Sequence, residues 1–341
     1  MATSDFPSRM RAWQYSGISG GLEKSLRLNE SAQAPAPPPT GSVMVEVMSA
    51  ALNPVDYKLI ELPFIGGWLT RKPATPGLDF AGRVVESAEG FEKGERVFGR
   101  IQPLTQHGSL AQYAVCSSKA MMRLPNNVSF DEGACLTTAA LVAYQTIVPF
   151  LPKGDNRSVF VNGGSGGVGT FSVQIAKALG CYVVASCSGA NAQLVKELGA
   201  DEVIDYRTTD LVTELKKKGR TFDLVVDNVG QPFDLHRACD VCVKEGGRVV
   251  QIGAEISWRG VVSLLDSMVR PRFLGGAKTP FTMTGTQDRA QDLHQLAEWA
   301  ASGRIKSVID TTFPFLDVPR AFERLKTGRA RGKIVVSSAD N

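Results

Sequence analysis

The sequence predicts an α/β protein in which a doubly wound parallel sheet is inserted into a second, β-barrel domain. Three observations carry this. The glycine run Gly163-Gly164-Ser165-Gly166-Gly167-Val168-Gly169 stands between a short apolar strand and an apolar-periodic helix. Strand and helix patterns then alternate to about Gly276, and all-apolar strands alternating with helices mean a parallel sheet covered on both faces. The first 140 residues are instead strand-rich and punctuated by glycine, and the chain closes on one more strand. A length of 341 residues suits roughly two domains. The expected division is 1–140 with 284–341 for the barrel, and 141–283 for the nucleotide domain.

Taken in order, Ser42–Val47 alternates as a half-buried strand should, after the stiff loop Ala34–Pro39. Arg83–Glu86 and Glu95–Phe98 read as two more strands joined through turns at Gly90 and Gly94. Ser158–Asn162 is the apolar strand before the glycine run, and Thr170–Leu179 is the helix after it, closed by Gly180. Strands follow at Tyr182–Ala185, Glu202–Tyr206, Phe222–Asp227 and Arg248–Gly253, with a helix at Gln193–Leu198. The last stretch carries a helix around Leu293–Ala300, a strand at Val308–Asp310, a helix at Val318–Thr327 and the strand Gly332–Val336.

Composition excludes several classes. A net charge of +4 without a basic cluster argues against a nucleic-acid binder. No apolar run reaches ~18 residues, so no membrane span is expected. Met1–Trp13 lacks the apolar stretch of a secretory signal, and a cytoplasmic enzyme is expected. The six cysteines then read as reduced thiols, and Cys239-x-x-Cys242 fits one helix face better than half a metal site.

A strand that stops on glycine and restarts as a helix aims free N–H groups and the positive helix end at one point, where a diphosphate binds. Ser165, Gly166, Gly167 and Val168 are the expected contacts, with Gly169 allowing close helix packing. An NAD site wants an acid at the end of the second strand. That place holds Ser186-Cys187-Ser188-Gly189-Ala190-Asn191. Ser188 and Asn191 donate hydrogen bonds to a 2′-phosphate without repelling it, so NADPH is the expected cofactor.

Asn53-Pro54-Val55-Asp56, Pro76–Gly82, the glycine run, Leu198–Tyr206, Asp227-Asn228-Val229-Gly230 and Gly328–Val335 occur in order along nearly the whole chain. Together they resemble the medium-chain dehydrogenase/reductase superfamily, and within it the zinc-independent quinone oxidoreductase and trans-acting enoyl reductase branch. The resemblance implies a GroES-like substrate domain, a Rossmann domain and NADPH in the cleft between them. Zinc alcohol dehydrogenases of the superfamily carry a Cys where Asn53 stands and a His-Glu pair where Leu78-Asp79 stands. They also carry a four-cysteine lobe in a region where this chain has no Cys between Arg96 and Val115. No metal is therefore expected.

The resemblance also implies further cofactor contacts. Tyr206 would lie near the adenine or 2′-phosphate, Asn228, Val229, Ile252 and Gly253 at strand ends facing the ligand, and Asn53 and Lys333 at the nicotinamide end. The usual Thr near Leu141–Tyr144 is Val142 here, which leaves Thr138 or backbone groups to hold the carboxamide. Tyr57 and Lys58 are the candidate proton donors, with water as the alternative. Phe64–Leu69 reads as a loop over the substrate or as core. The expected function is metal-free, NADPH-dependent reduction of an enone, enoyl thioester or quinone by a monomer or homodimer, acting on a small or carrier-bound substrate. The rivals are a zinc-independent alcohol or ketone reductase and an NADPH-binding protein without turnover.

Overall fold

The computed structural model describes residues 6–62, 70–252, 258–270 and 276–338. The Phe64–Leu69 loop lies outside them. The chain divides into two compact units, one running to Leu141 and resuming at Asp288, the other Val142–Gln287. The first unit begins with β1 (Arg9–Gln14), β2 (Arg27–Gln33), β3 (Ser42–Leu52), β4 (Asp79–Val84), β5 (Arg96–Arg100), β6 (Tyr113–Ser117) and β7 (Met121–Arg123). The second contains β8 (Ser158–Asn162), β9 (Tyr182–Cys187), β10 (Glu202–Asp205), β11 (Phe222–Asp227), β12 (Val243–Gln251) and β13 (Phe281–Met283). The chain then returns to the first unit with β14 (Ile309–Pro314) and β15 (Lys333–Ser337).

In the first unit β1 pairs with β2, and the larger sheet runs β14-β15-β3-β4-β5-β7, with β6 also paired to β3. The eleven-residue β3 is its spine because Val43, Val45, Val47, Ala50 and Leu52 are all buried. β4 begins at Asp79, four residues before the expected Arg83. Pro76 and the positive-φ Gly77 (φ 100°) make the turn into it. Gly82 then passes so close to β3 that an added Cβ would strike Glu46 O. This stretch, expected to be without helices, contains three short ones: Leu22–Ser25, Val55–Lys58 and Phe130–Cys135. The third starts on a capping box, in which Ser129 Oγ accepts from Glu132 N while the Glu132 carboxylate accepts from Ser129 N.

The second unit is a six-stranded parallel sheet in the order β10-β9-β8-β11-β12-β13. The sequence reading stops at five strands; β13, three residues long, adds an edge through Val249↔Phe281. All five residues of β8 are buried, as a strand covered on both faces requires. Phe160 and Phe222 anchor one face with ring centroids 5.7 Å apart. Cys239 and Cys242 are buried in that same cluster. No described helix is long and apolar enough to cross a membrane. Truncating the fully buried Phe160 to Ala removes a ring from both neighbours, so Phe160→Ala should lose about 3–5 kcal/mol, read as a lowered midpoint in denaturant unfolding.

Candidate active site

The glycine run forms the turn from β8 into the helix Gly167–Ala178. Three strand ends hold it through side chains that the sequence reading did not single out. Asn162 Nδ2 donates to Asp227 Oδ1 (2.8 Å) and Gln231 O (2.7 Å), and Asn162 Oδ1 accepts from Ser186 Oγ (2.6 Å). Ser186 Oγ in turn accepts from Gly163 N (3.0 Å), and Ser186 O from Gly164 N (2.8 Å). Asp227 Oδ1 also receives the backbone N–H groups of Val229 and Gly230. Burial pushes the Asp227 carboxyl up, and the donated N–H bonds of Gly230, Val229 and Asn162 oppose this.

The glycines in this turn have different reasons to be there. Gly163 has φ 79°, in the left-handed region. An added Cβ at Gly164 would sit 2.9 Å from Ala185 Cβ, and one at Gly169 would land on Gly163 O. Gly166 is unlike these. Its φ of −80° is ordinary, and an added Cβ meets nothing nearer than Gly163 O at 3.6 Å. The fold does not demand glycine there, yet a methyl would fill a place at the mouth of a twelve-residue helix. Helix geometry leaves the first N–H groups without intrahelical acceptors, and no side chain caps them. Such a cradle fits a diphosphate.

Around the loop, Asn191 Nδ2 donates to Ser165 Oγ (3.0 Å), so two of the expected contacts touch each other. Val168 lies in the first helical turn. Asn228 Nδ2 donates to Asn162 O (3.1 Å), while Asn228 Oδ1 is buried without a partner and is an acceptor waiting for a donor. Ile252 N donates to Asp227 O, and Gly253 lies outside the described residues. Tyr206 (52 % exposed) and Val229 (44 %) present open apolar surface. Ser188 follows β9, and its carbonyl accepts from Asn191 N. β10 also brings Asp205 alongside: its Oδ2 would lie 2.5 Å from a Cβ at Gly189. This acid was invisible along β9 because it arrives from the neighbouring strand, with Asp205 in register with Cys187.

In the first unit, Asn53 and Lys333 meet because β15 pairs with β3, Ile334 opposite Leu52. Lys333 Nζ donates to Asn53 Oδ1 (2.5 Å) and Leu52 O (2.8 Å) and lies 3.6 Å from Asp79 Oδ2. Asn53 Nδ2 donates to Asp79 Oδ2 (2.8 Å), and Thr138 Oγ1 donates to Asp79 Oδ1 (2.5 Å). The Lys333 and Asp79 side chains are 3 % and 0 % exposed, so each is the other's counter-charge. Val142 is buried in the helix Thr138–Ile147.

Tyr57 and Lys58 share the short helix after Pro54. Tyr57 packs against the core, and Lys326 Nζ lies 5.0 Å from its ring centroid. Burial raises the Tyr57 phenol above its ordinary range, Lys326 lowers it and Glu61 raises it; a phenol so held is a weaker acid. Lys58 is half-buried. Among the described residues, no three His, Cys, Asp or Glu converge as a metal-ligand set.

A parallel sheet in which β8 turns on glycine into a helix, in a chain that also folds a strand-rich unit, is an architecture that nucleotide-cofactor oxidoreductases use. Residues 39–126 match the alcohol dehydrogenase GroES-like domain, and residues 198–336 match the zinc-binding dehydrogenase domain. The chain is 41 % identical over 98 % of its length to the trans-enoyl reductase pgmF of Aspergillus terreus, covering 97 % of that protein. It is 35 % identical to the 2-methylene-furan-3-one reductase of Solanum lycopersicum, over 97 % of this chain and 79 % of that one. The solved quinone oxidoreductase of Coxiella burnetii superposes with a TM-score of 0.79 at 26 % identity, over 97 % of this chain and 100 % of that one. The chain belongs to the medium-chain dehydrogenase/reductase family, whose oxidoreductases use a nicotinamide cofactor.

Three outcomes follow from this geometry. Gly166→Ala should leave the unfolding midpoint unchanged and weaken nicotinamide-cofactor binding at least tenfold, about 1.4 kcal/mol. Gly169→Ala should lower the midpoint itself; fluorescence titration and thermal melts read the two apart. Lys333→Met strands Asp79 in the core and should cost about 3–5 kcal/mol in denaturant unfolding.

Proposed function

We propose that the protein is an NADPH-dependent reductase of an activated C=C bond, in an enone or enoyl thioester, or of a quinone. The observation that carries this is the buried grip of Asn53 and Asp79 on Lys333. The positions that hold zinc ligands in the alcohol-oxidising relatives are committed here to an ammonium. Alcohol–carbonyl exchange in those relatives relies on a Lewis acid, whereas addition to an activated double bond does not. The trans-enoyl reductase, the 2-methylene-furan-3-one reductase and the quinone oxidoreductase among the similar proteins support this choice.

The chemistry the cofactor supplies when bound is a hydride. The chain's own residues do the rest. The N–H groups of Gly167 and Val168 would hold the diphosphate, with Gly166, whose own N–H donates to Gly163 O, leaving room for it, and Ser165 and Asn191 close the loop beside it. Ser188 and Asn191 serve the 2′-phosphate, with Tyr206 at the adenine end. Asn228 Oδ1 accepts a cofactor donor, and Val229 and Ile252 line the strand ends. Lys58 delivers the proton to the enolate that hydride addition leaves; Tyr57, raised by burial, is the weaker candidate. Asp205 favours a second reading of the cofactor, because a carboxylate beside Gly189 also suits the free 2′-hydroxyl of NADH.

Loss of NADPH absorbance with a simple enone, an enoyl thioester and a quinone tests the reading. At least one acceptor should be reduced, NADPH should exceed NADH in kcat/KM by about tenfold or more, and Asp205→Asn should widen that ratio. Lys58→Met should lower kcat about 100-fold, as removal of a general acid does. Oxidation of NADPH by none of the three acceptors overturns the proposal.

A further inference from the structure

Among the described residues of the first unit, Asp56 is a buried carboxyl that the mechanism above leaves unused. Asp56 stands in the short helix Val55–Lys58 and is 3 % exposed. Its Oδ2 accepts from Asn53 N (2.7 Å), whereas Oδ1 is buried with no hydrogen-bond partner. Beside it lies a cavity of ≈ 20 Å³, lined by Asp56, Tyr15, Ile60, Thr75, Leu78 and Gln102 among others. That volume admits about one water molecule. Thr75 Oγ1, on the same cavity, is also buried and unpartnered. The pocket is therefore polar on two sides and too small for a substrate.

Two buried ion pairs lie near Asp56, and the Lys72 ammonium stands over the Tyr15 ring on the cavity side. Lys333 on β15 and Arg100 on β5 are positive. Asp79 on β4 and Asp288, which accepts from Arg100 Nη1 at 2.8 Å, are negative. His107, on the segment bridged to Thr75, is lowered by burial, and Tyr15, with Lys72 over its ring, is raised by burial, so both are neutral near pH 7. An ionised Asp56 would leave Oδ1 desolvated with no donor to hold its charge. A neutral carboxyl instead donates its proton from Oδ1 into the cavity and keeps Oδ2 as the acceptor for Asn53. Burial, with Asp79, raises the Asp56 carboxyl to about 7 against the opposing effects of the Asn53 N–H, Lys333 and Arg100.

We propose that Asp56 is a protonated positioning residue: Oδ1 carries a proton toward a one-water cavity, Oδ2 fixes the Asn53 backbone, and loss of the proton unbalances the Asn53–Asp79–Lys333 set and lowers turnover. Its effect on turnover rests on the reductase reading; its effect on stability does not. The sign is fixed by the native state binding one more proton than the unfolded chain between about pH 4 and pH 7. Stability from this group is complete below the unfolded value. It is lost as pH rises through about 7.

The experiment compares the full-length wild type with Asp56→Asn, which mimics the neutral acid, and Asp56→Leu, which removes the acceptor. Melting points are taken from pH 5 to 8. The wild type should fall behind Asp56→Asn by about 5 °C or more as pH rises. A gap that does not change with pH overturns the proposal. Turnover of NADPH with the best acceptor should fall about tenfold per pH unit above 7 in the wild type, lose that break in Asp56→Asn, and drop at every pH in Asp56→Leu. A break retained in Asp56→Asn overturns it as well. If no acceptor is reduced, the reductase reading fails, and the melting curves still decide the state of Asp56.

Discussion

Everything at the nucleotide end depends on one close approach of backbone to backbone. The helix Gly167–Ala178 lies against the turn at Gly163 so tightly that a methyl on Gly169 has nowhere to go. That approach aims the helix end where the cradle is, and it sets the spacing at which Asn162, Ser186 and Asp227 tie β8, β9 and β11 together. The polar ties are themselves buried, so each must be satisfied, and they are. A loop bound this way presents its N–H groups already in place. The ordering entropy is met during folding and does not fall on ligand binding.

The first unit solves a different problem, which is how to bury charge. Lys333 and Asp79 would each be intolerable alone in that core. As a pair bonded to Asn53, Leu52 O and Thr138, they hold a fixed geometry. The arrangement offers more specificity than stability, since an apolar pair of the same volume would pack as well. Its value lies in orienting Asn53, whose backbone and side chain are both held.

How much of this was legible in the sequence depends on range. The glycine run could be read because strand, turn and helix are neighbours in the chain. The strands β8, β9 and β11 could be read because burial on both faces makes them uniformly apolar. β13 was not read, as three residues carry no period, and the helix at Phe130 was overlooked although Ser129 and Glu132 spell its cap. Asn162, Ser186 and Asp227 look like polar residues closing three unrelated strands; only the parallel register makes them one clamp. Asp205 is a matter of register too. The family motifs brought Asn53, Asp79 and Lys333 to notice, Asp79 as a departure from the zinc-ligand pattern, but not the bonds that join the three or the free oxygen of Asp56.

The order of strands in the first sheet has a consequence for how the protein is made. β15, which follows the other described strands in the chain, lies between β14 and β3, and β3 is the spine of the sheet. Until β15 leaves the ribosome, the Ser49–Leu52 part of one β3 edge is unpaired and Asp79 has no ammonium. The intervening nucleotide unit is complete by Gln287 and carries its own sheet, with Gln145 and Gln287 bonded to each other near its two ends. Vectorial synthesis therefore finishes the inserted unit first and leaves its host half-assembled. A chain truncated before Lys333 would be recognised by quality control through an unzipped sheet, with its glycine-rich turn intact.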